Sequence, residues 1–114
     1  MKKDPQVFIA HILDSIRFIE EYSAEVTEAK FHKNRSLQDA IIRRLEIIGE
    51  AVKNLPTAFK TKYPEIPWKQ IAGMRDILIH EYFDVDLLLT WKVVKHELPS
   101  IKKRLSEILA SDDY

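Results

Sequence analysis

Residues 75–82 carry side chains that could move a proton and bind a phosphate group. The segment reads Arg-Asp-Ile-Leu-Ile-His-Glu-Tyr, so that Arg75, His80 and Tyr82 lie close together in the chain. Imidazole exchanges protons near neutral pH, and guanidinium binds phosphate and stabilises charge that develops on it. Where the substrate is RNA, its 2′-hydroxyl is the nucleophile, and neither a metal ion nor a nucleophilic side chain is needed. The same residue types also fit a purely structural role, as a packed ion pair and a hydrogen-bonded histidine.

The helix expected over residues 67–80 places these groups on different faces. At 100° per residue, Arg75 falls in the middle of an apolar face, where an unpaired cation is costly. Arg75 and His80 lie about 140° apart around such a helix, so they do not point at one spot. Either the helix ends near Ile79, or a second copy completes the site in a two-fold dimer. Asp76 precedes His80 by four residues and on one helix could hold the imidazole in one tautomer.

Length and composition indicate one globular domain, residues 1–114. The 114 residues include 46% apolar and 32% charged side chains, two glycines and no cysteine. Two glycines argue against an all-β fold with many tight turns, and the absence of cysteine excludes disulfides and thiolate zinc sites. The formal net charge is zero, so any contact with nucleic acid must depend on a local patch. With no signal-peptide core and no apolar run of membrane-spanning length, we expect a cytoplasmic protein that does not enter a membrane.

Apolar residues recur at helical spacing along most of the chain and predict an all-α fold. Helices are expected over residues 5–22, 36–55 and 67–80, with an ambiguous segment at 23–35 and a proline-containing loop at 56–67. A fourth helix is expected to start at Asp84 as N-cap, with Asp86 in its first turn. Its apolar positions form a heptad seam, and Pro99 should kink it. The prediction is an up-and-down bundle of four to five helices with a long kinked C-terminal helix.

The segment at 75–82 resembles the Arg-x4-His-x-Tyr signature of the HepT-like branch of HEPN domains. Further blocks are similar to the same family: residues 43–51 on the second helix, residues 63–68 and 71–74 before the signature, then residues 84–86 and Trp91. The resemblance covers roughly residues 5–110. It implies the HEPN-like helical bundle already expected from the apolar pattern.

The resemblance also implies an activity and partners. HepT-like proteins are homodimeric endoribonuclease toxins that cleave RNA without a metal or cofactor, and the likeness gives Arg75 and His80 the role of catalytic pair. Their partner is an MNT-type nucleotidyltransferase antitoxin, which attaches AMP to the motif tyrosine, here Tyr82. A bulky anionic adduct beside His80 would block the cleft and repel RNA phosphates.

Three further residues are candidates for a supporting role. Asp76 follows the arginine as an acidic or polar residue usually does in this pattern. Arg43 and Glu46 lie on a charged strip of the second helix, and such a strip is more often only a solvated face.

Two other kinds of protein fit the same sequence. The chain could be a non-catalytic nucleotide- or partner-binding subunit of a two-component nucleotidyltransferase, although the complete Arg, His and Tyr set favours the nuclease. It could also be a structural dimerisation domain that uses the heptads of the fourth helix. A zinc site is not expected, because the segment that begins at His80 lacks the second histidine of a His-Glu-x-x-His motif.

Overall fold

A computed structural model describes residues 4–81 and 84–111, and at residues 75, 77, 79–81, 84 and 85 it describes the backbone only. The elements in chain order are α1 (Pro5–Ser23), α2 (Glu28–Lys33), α3 (Arg35–Asn54), α4 (Thr57–Lys62), α5 (Trp68–Ala72), α6 (Met74–Leu78), β1 (Ile79–Glu81), β2 (Asp84–Val85), α7 (Leu87–Lys92), a π-helical turn (Val93–Glu97) and α8 (Leu98–Ala110). Within the described residues, no helix is long and apolar enough to span a bilayer.

The first helix confirms the prediction for residues 5–22. Asp4 caps α1 by accepting a hydrogen bond from the Gln6 amide at 3.0 Å, and Pro5 occupies the first helical turn, where its missing N–H costs nothing. One face of α1 is almost completely buried, and it consists of Ile9, Ile12, Ile16 and Ile19. These isoleucines form one wall of the core.

The second long helix, α3, lies within one residue of the predicted bounds. The Asn34 side chain caps it by accepting from the Leu37 amide at 3.0 Å. Its inward stripe is buried as expected at Ile41, Leu45, Ile48 and Val52, while Leu37 is half-buried. The ambiguous segment before it contains α2, which buries Phe31 completely.

The segment predicted as a proline-containing loop is partly helical. It contains α4, and the indole N–H of Trp68 then joins α4 to α5 by donating to the carbonyls of Lys60 and Tyr63, both at 3.0 Å. Trp68 is buried and packs near Phe59, with ring centroids 6.1 Å apart. These contacts explain why the chain can turn twice here without a long exposed loop.

The single helix predicted over residues 67–80 is wrong in its continuity, and the observed end agrees with the alternative that the helix stops near Ile79. The helix breaks at Gly73, resumes as α6, and ends at Leu78. β1 then pairs with β2 as a short antiparallel ladder, with Ile79 opposite Val85. The Leu78 carbonyl accepts from the Asp86 amide at 2.7 Å, whereas in a continuing helix it would accept from the amide four residues ahead. A contact from beyond the hairpin therefore ends the helix.

The start of the last helix also differs from the prediction. Asp86, not Asp84, is the N-cap of α7, because the Asp86 side chain accepts from the Leu89 amide at 2.9 Å. Pro99 lies in the first turn of α8, directly after the π-helical turn, so its missing N–H falls where the helical bonding restarts. The heptad seam packs on the core as expected, fully at Val94, Leu98, Ile101, Leu105 and Ile108 and partly at Leu87 and Trp91.

Four helical segments, namely α1, α3, α5–α6 and α7–α8, surround one hydrophobic core. Ion pairs join α8 to the rest of the bundle, with Lys102 to Glu20 of α1 at 2.8 Å and Arg104 to Glu65 at 2.6 Å. The all-α class is confirmed, and the β1–β2 ladder is a local exception that the sequence did not predict. The first strand of the ladder, β1, lies within the signature segment.

Candidate active site

A surface cleft of about 280 Å³ lies where α5 and α6 pack against α3. Three residues singled out from the sequence line it: Arg43 and Glu46 from α3, and Asp76 from α6. The helical spacing of three to four residues aligns Arg43 and Glu46 with Glu50 and Lys53 along one strip of α3. The fold therefore brings this strip and Asp76 together, although they are separated by more than 20 residues in the chain.

The cleft carries charges of both signs. Its lining residues include the cations Arg43 and Lys53 and the carboxylates Glu46, Glu50 and Asp76. Lys53 pairs with Glu50 at 3.4 Å in an exposed, salt-sensitive contact. Because carboxylates outnumber cations in this lining, the cleft itself does not attract a phosphate strongly. It is better suited to hold and orient a neighbouring cationic side chain.

Arg75 and His80 lie on two different elements. Arg75 is on α6, next to Asp76, and His80 is on β1, beyond the end of the helix at Leu78. Because Arg75 and His80 do not share one unbroken helix, neither the expected separation of about 140° nor the expected helical contact from Asp76 to His80 applies. The side chains of Arg75 and His80 and all of Tyr82 lie outside the described residues, so their roles stay predictions.

Sequence reasoning missed part of the lining. Glu50 and Lys53 lie on the same strip of α3 as Arg43 and Glu46 but were not singled out, because the sequence gave no sign of which helix would face that strip. Gly49 and Ala72 also line the cleft. A glycine in the middle of a helix signals a close approach of another backbone, and Gly49 carries that signal. The tertiary contact alone identifies its neighbour.

His96 of the π-helical turn lines two other grooves. One, of about 570 Å³, lies between α2 and α7 and includes Leu88, whose side chain is 66% exposed. The other, of about 320 Å³, lies between α5 and α8 and includes Met74, the residue before Arg75. His96 was not singled out from the sequence.

Comparison with known proteins agrees with the signature. The ribonuclease HepT-like family matches residues 12–108. The chain is 54% identical over 113 residues to a Methanocaldococcus jannaschii protein named "Gamma-glutamylcyclotransferase and putative RNase". That alignment covers 99% of this chain but 51% of the relative, so the chain spans about half the length of that relative.

Two relatives of similar size are covered almost completely. The chain is 44% identical over 108 residues to a "Probable ribonuclease HepT" of Thermococcus cleftensis, an alignment that covers 95% of this chain and 98% of the relative. It is 44% identical over 110 residues to a "Putative RNase" of Caldanaerobacter subterraneus, covering 96% of this chain and 98% of that protein. No solved structure gives a significant match. The match over residues 12–108 and these full-length similarities show that the chain belongs to the ribonuclease HepT-like family.

Proposed function

We propose that this protein is a metal-independent endoribonuclease toxin, with Arg75 and His80 as the catalytic pair. The observation that carries the proposal is the complete Arg75, His80 and Tyr82 set in the sequence of a member of the HepT-like family, with Arg75 on α6 and His80 on β1. RNA as the proposed substrate is consistent with the cytoplasmic location expected from the sequence. Names of relatives that describe them as RNases support the same class of reaction.

The proposed chemistry uses the 2′-hydroxyl of RNA as the nucleophile. His80 takes the proton of this hydroxyl as its oxygen bonds to phosphorus, and Arg75 binds the phosphate oxygens, where negative charge grows. The bond from phosphorus to the 5′-oxygen breaks, and a protonated imidazole gives that oxygen a proton. The products are a 2′,3′-cyclic phosphate, open to hydrolysis to a 3′-phosphate, and a 5′-hydroxyl.

A homodimer fits this scheme because the reaction needs one base and one acid. In a two-fold dimer, His80 of one copy can accept the 2′ proton while the second copy donates to the leaving 5′-oxygen. One imidazole alone would have to carry out both transfers within a single turnover. We therefore propose that two copies complete one composite cleft.

Asp76, Glu46 and Arg43 are assigned a supporting role. Asp76 is adjacent to Arg75 on α6, and Glu46 and Arg43 line the same cleft from α3. A carboxylate that pairs with a guanidinium restricts its orientation and so prepares it for the phosphate, which is the role proposed for Asp76 and Glu46 towards Arg75. The negative charge of Asp76 and Glu46 also repels RNA phosphates from the cleft.

The proposed partner is an MNT-type nucleotidyltransferase antitoxin that transfers AMP to Tyr82. Tyr82 follows His80 by two residues. The phosphate of an AMP group there would add negative charge and bulk two residues along the chain from the histidine. Modification at this position would therefore prevent RNA from entering the site.

The decisive experiment is RNA cleavage in excess EDTA by purified protein, compared with Arg75→Ala, His80→Ala and Asp76→Asn. Matched controls are Arg35→Ala, which removes an arginine whose side chain is 82% exposed, and His11→Ala, which removes an exposed histidine of α1. We expect loss of about 100-fold or more for His80→Ala, within the range for a general acid–base group. The controls should cleave like the wild type.

The ends of the cleaved RNA test the mechanism. Cyclic-phosphate or 3′-phosphate ends with 5′-hydroxyl partners are expected for 2′-hydroxyl attack. Equal cleavage by wild type and His80→Ala would overturn the assignment. RNA binding without cleavage by the wild type would favour the binding-subunit alternative instead.

A further inference from the structure

Gly49 lies at the closest approach between α3 and α5. A Cβ atom placed on Gly49 would lie 3.2 Å from the Ile71 carbonyl oxygen and 3.1 Å from that of Ala72. Ordinary contacts of this kind fall at 3.4–4 Å, so a side chain of any size would push α5 away by a few tenths of an ångström. The obstacles are backbone atoms, which cannot move aside by changing a rotamer.

The two carbonyls belong to the last turn of α5, directly before the break at Gly73. α6 begins at Met74, and Asp76 of α6 faces the cleft that Glu46 of α3 lines from the other side. Ala72 and Gly49 themselves form part of the same lining. Because only Gly73 separates α5 from α6, a shift of the last turn of α5 would move the start of α6 and change the width of the cleft.

We infer that Gly49 is a positioning residue for the proposed ribonuclease reaction. Its missing side chain sets the distance between α3 and the α5–α6 junction, and so sets where Asp76 and the backbone of Arg75 stand relative to Arg43. This inference rests on the proposed function for its effect on cleavage. The spacing itself is a property of the packing and can be measured separately.

The stability of the protein and the position of α6 should respond differently to Gly49→Ala. Alanine is the better helix former, so Gly49→Ala gains intrinsic helix stability within α3 while it strains the contact with α5. The first effect raises the melting temperature and the second lowers it, so the melting temperature reports only their difference. The position of α6 depends on the strained contact alone, and we expect that contact to move α6 outward.

The chain offers a matched control in Gly73→Ala. Gly73 lies at the same junction, but a Cβ there would meet only the Lys69 carbonyl oxygen, at an ordinary 3.5 Å. The Gly73 backbone, at φ −94° and ψ 12°, is accessible to alanine. Gly49→Ala and Gly73→Ala thus make the same chemical change a short distance apart, and only one of them forces the helices apart.

The test measures the melting temperature of both variants and then their kcat and KM for RNA cleavage well below that temperature. Crystal structures of both variants give the helix positions. For Gly49→Ala we expect kcat to fall about ten-fold with little change in KM, since a misplacement near 1 Å costs about 100-fold. Gly73→Ala should stay within about two-fold of the wild type. If Gly49→Ala is poorly folded, trimethylamine N-oxide, which favours the compact state, permits the same measurements.

Wild-type kcat for Gly49→Ala, or equal losses in both variants, would overturn the inference. The crystal structures separate it from the proposed function. If the wild type cleaves no RNA, an outward displacement of α5–α6 in Gly49→Ala still supports the spacing role, whereas unchanged helix positions exclude it.

Discussion

The Asp86 amide donates a hydrogen bond of 2.7 Å to the Leu78 carbonyl and so joins the end of α6 to the start of α7. The bond closes a loop of seven residues, 79–85, which contains His80 and Tyr82 of the signature. Asp86 also caps α7 through its side chain, which accepts from the Leu89 amide, and its carbonyl accepts from the Thr90 hydroxyl at 2.7 Å. One residue thus anchors the segment in which the proposed chemistry takes place.

Removal of the Asp86 cap should destabilise the protein, and the effect should depend on the oxygen rather than the charge. We expect Asp86→Ala to lower the free energy of unfolding by about 1 kcal/mol, because an orphan amide of α7 loses its acceptor. Asp86→Asn keeps an acceptor oxygen and should lose much less. Urea unfolding monitored by circular dichroism gives both values. Equal losses in the two variants would indicate that charge, not capping, is the important contribution.

Acid should weaken the contact between the turn at Glu65 and α8. A hydrogen bond from its own backbone amide, and then the hydrogen bond from Arg104, hold the pKa of the Glu65 carboxyl below its ordinary value of 4.5. A carboxyl whose pKa is lower in the folded state stabilises that state above its unfolded pKa. The contribution disappears as the pH falls from about 4.5 through the folded pKa.

The corresponding variant is Glu65→Gln, compared with the wild type in urea at several pH values. We expect it to be slightly less stable near neutral pH, because the carboxylate is half exposed, and the difference should shrink below about pH 4. The control Asp39→Asn removes a more exposed pair, in which Arg35 lies 3.5 Å away. A deficit of Glu65→Gln that grows on acidification would contradict the assignment.

Modification by the proposed antitoxin should depend on Tyr82. Co-expression with an MNT-type nucleotidyltransferase should add the mass of one AMP to the peptide that contains Tyr82 and should abolish RNA cleavage. Tyr82→Phe should stay unmodified and active, while the control Tyr22→Phe, at a half-buried tyrosine of α1, should be modified like the wild type. An adduct that persists in Tyr82→Phe would show that another residue is the acceptor.

Local sequence signals predicted the long helices well because their physical causes are local. Apolar spacing and a capping residue define α1 and α3, and Asp4 and Asn34 cap them as side chains of their type do. The end of α6 at Leu78 has a non-local cause, which the sequence did not reveal. The Leu78 carbonyl binds an amide eight residues ahead, and no propensity of residues 75–80 reveals that partner.

The sequence by itself determined the all-α class, the buried stripes and the signature of Arg75, His80 and Tyr82, because periodicity and residue type are written in the order of the chain. Only the tertiary structure decided that Asp76 of α6 meets Arg43 and Glu46 of α3 in one cleft. It also decided that His80 lies on a strand rather than on a helix. The reason is that both arrangements depend on contacts between distant segments: the close approach of α5 at Gly49 and the hydrogen bond from Asp86 to Leu78.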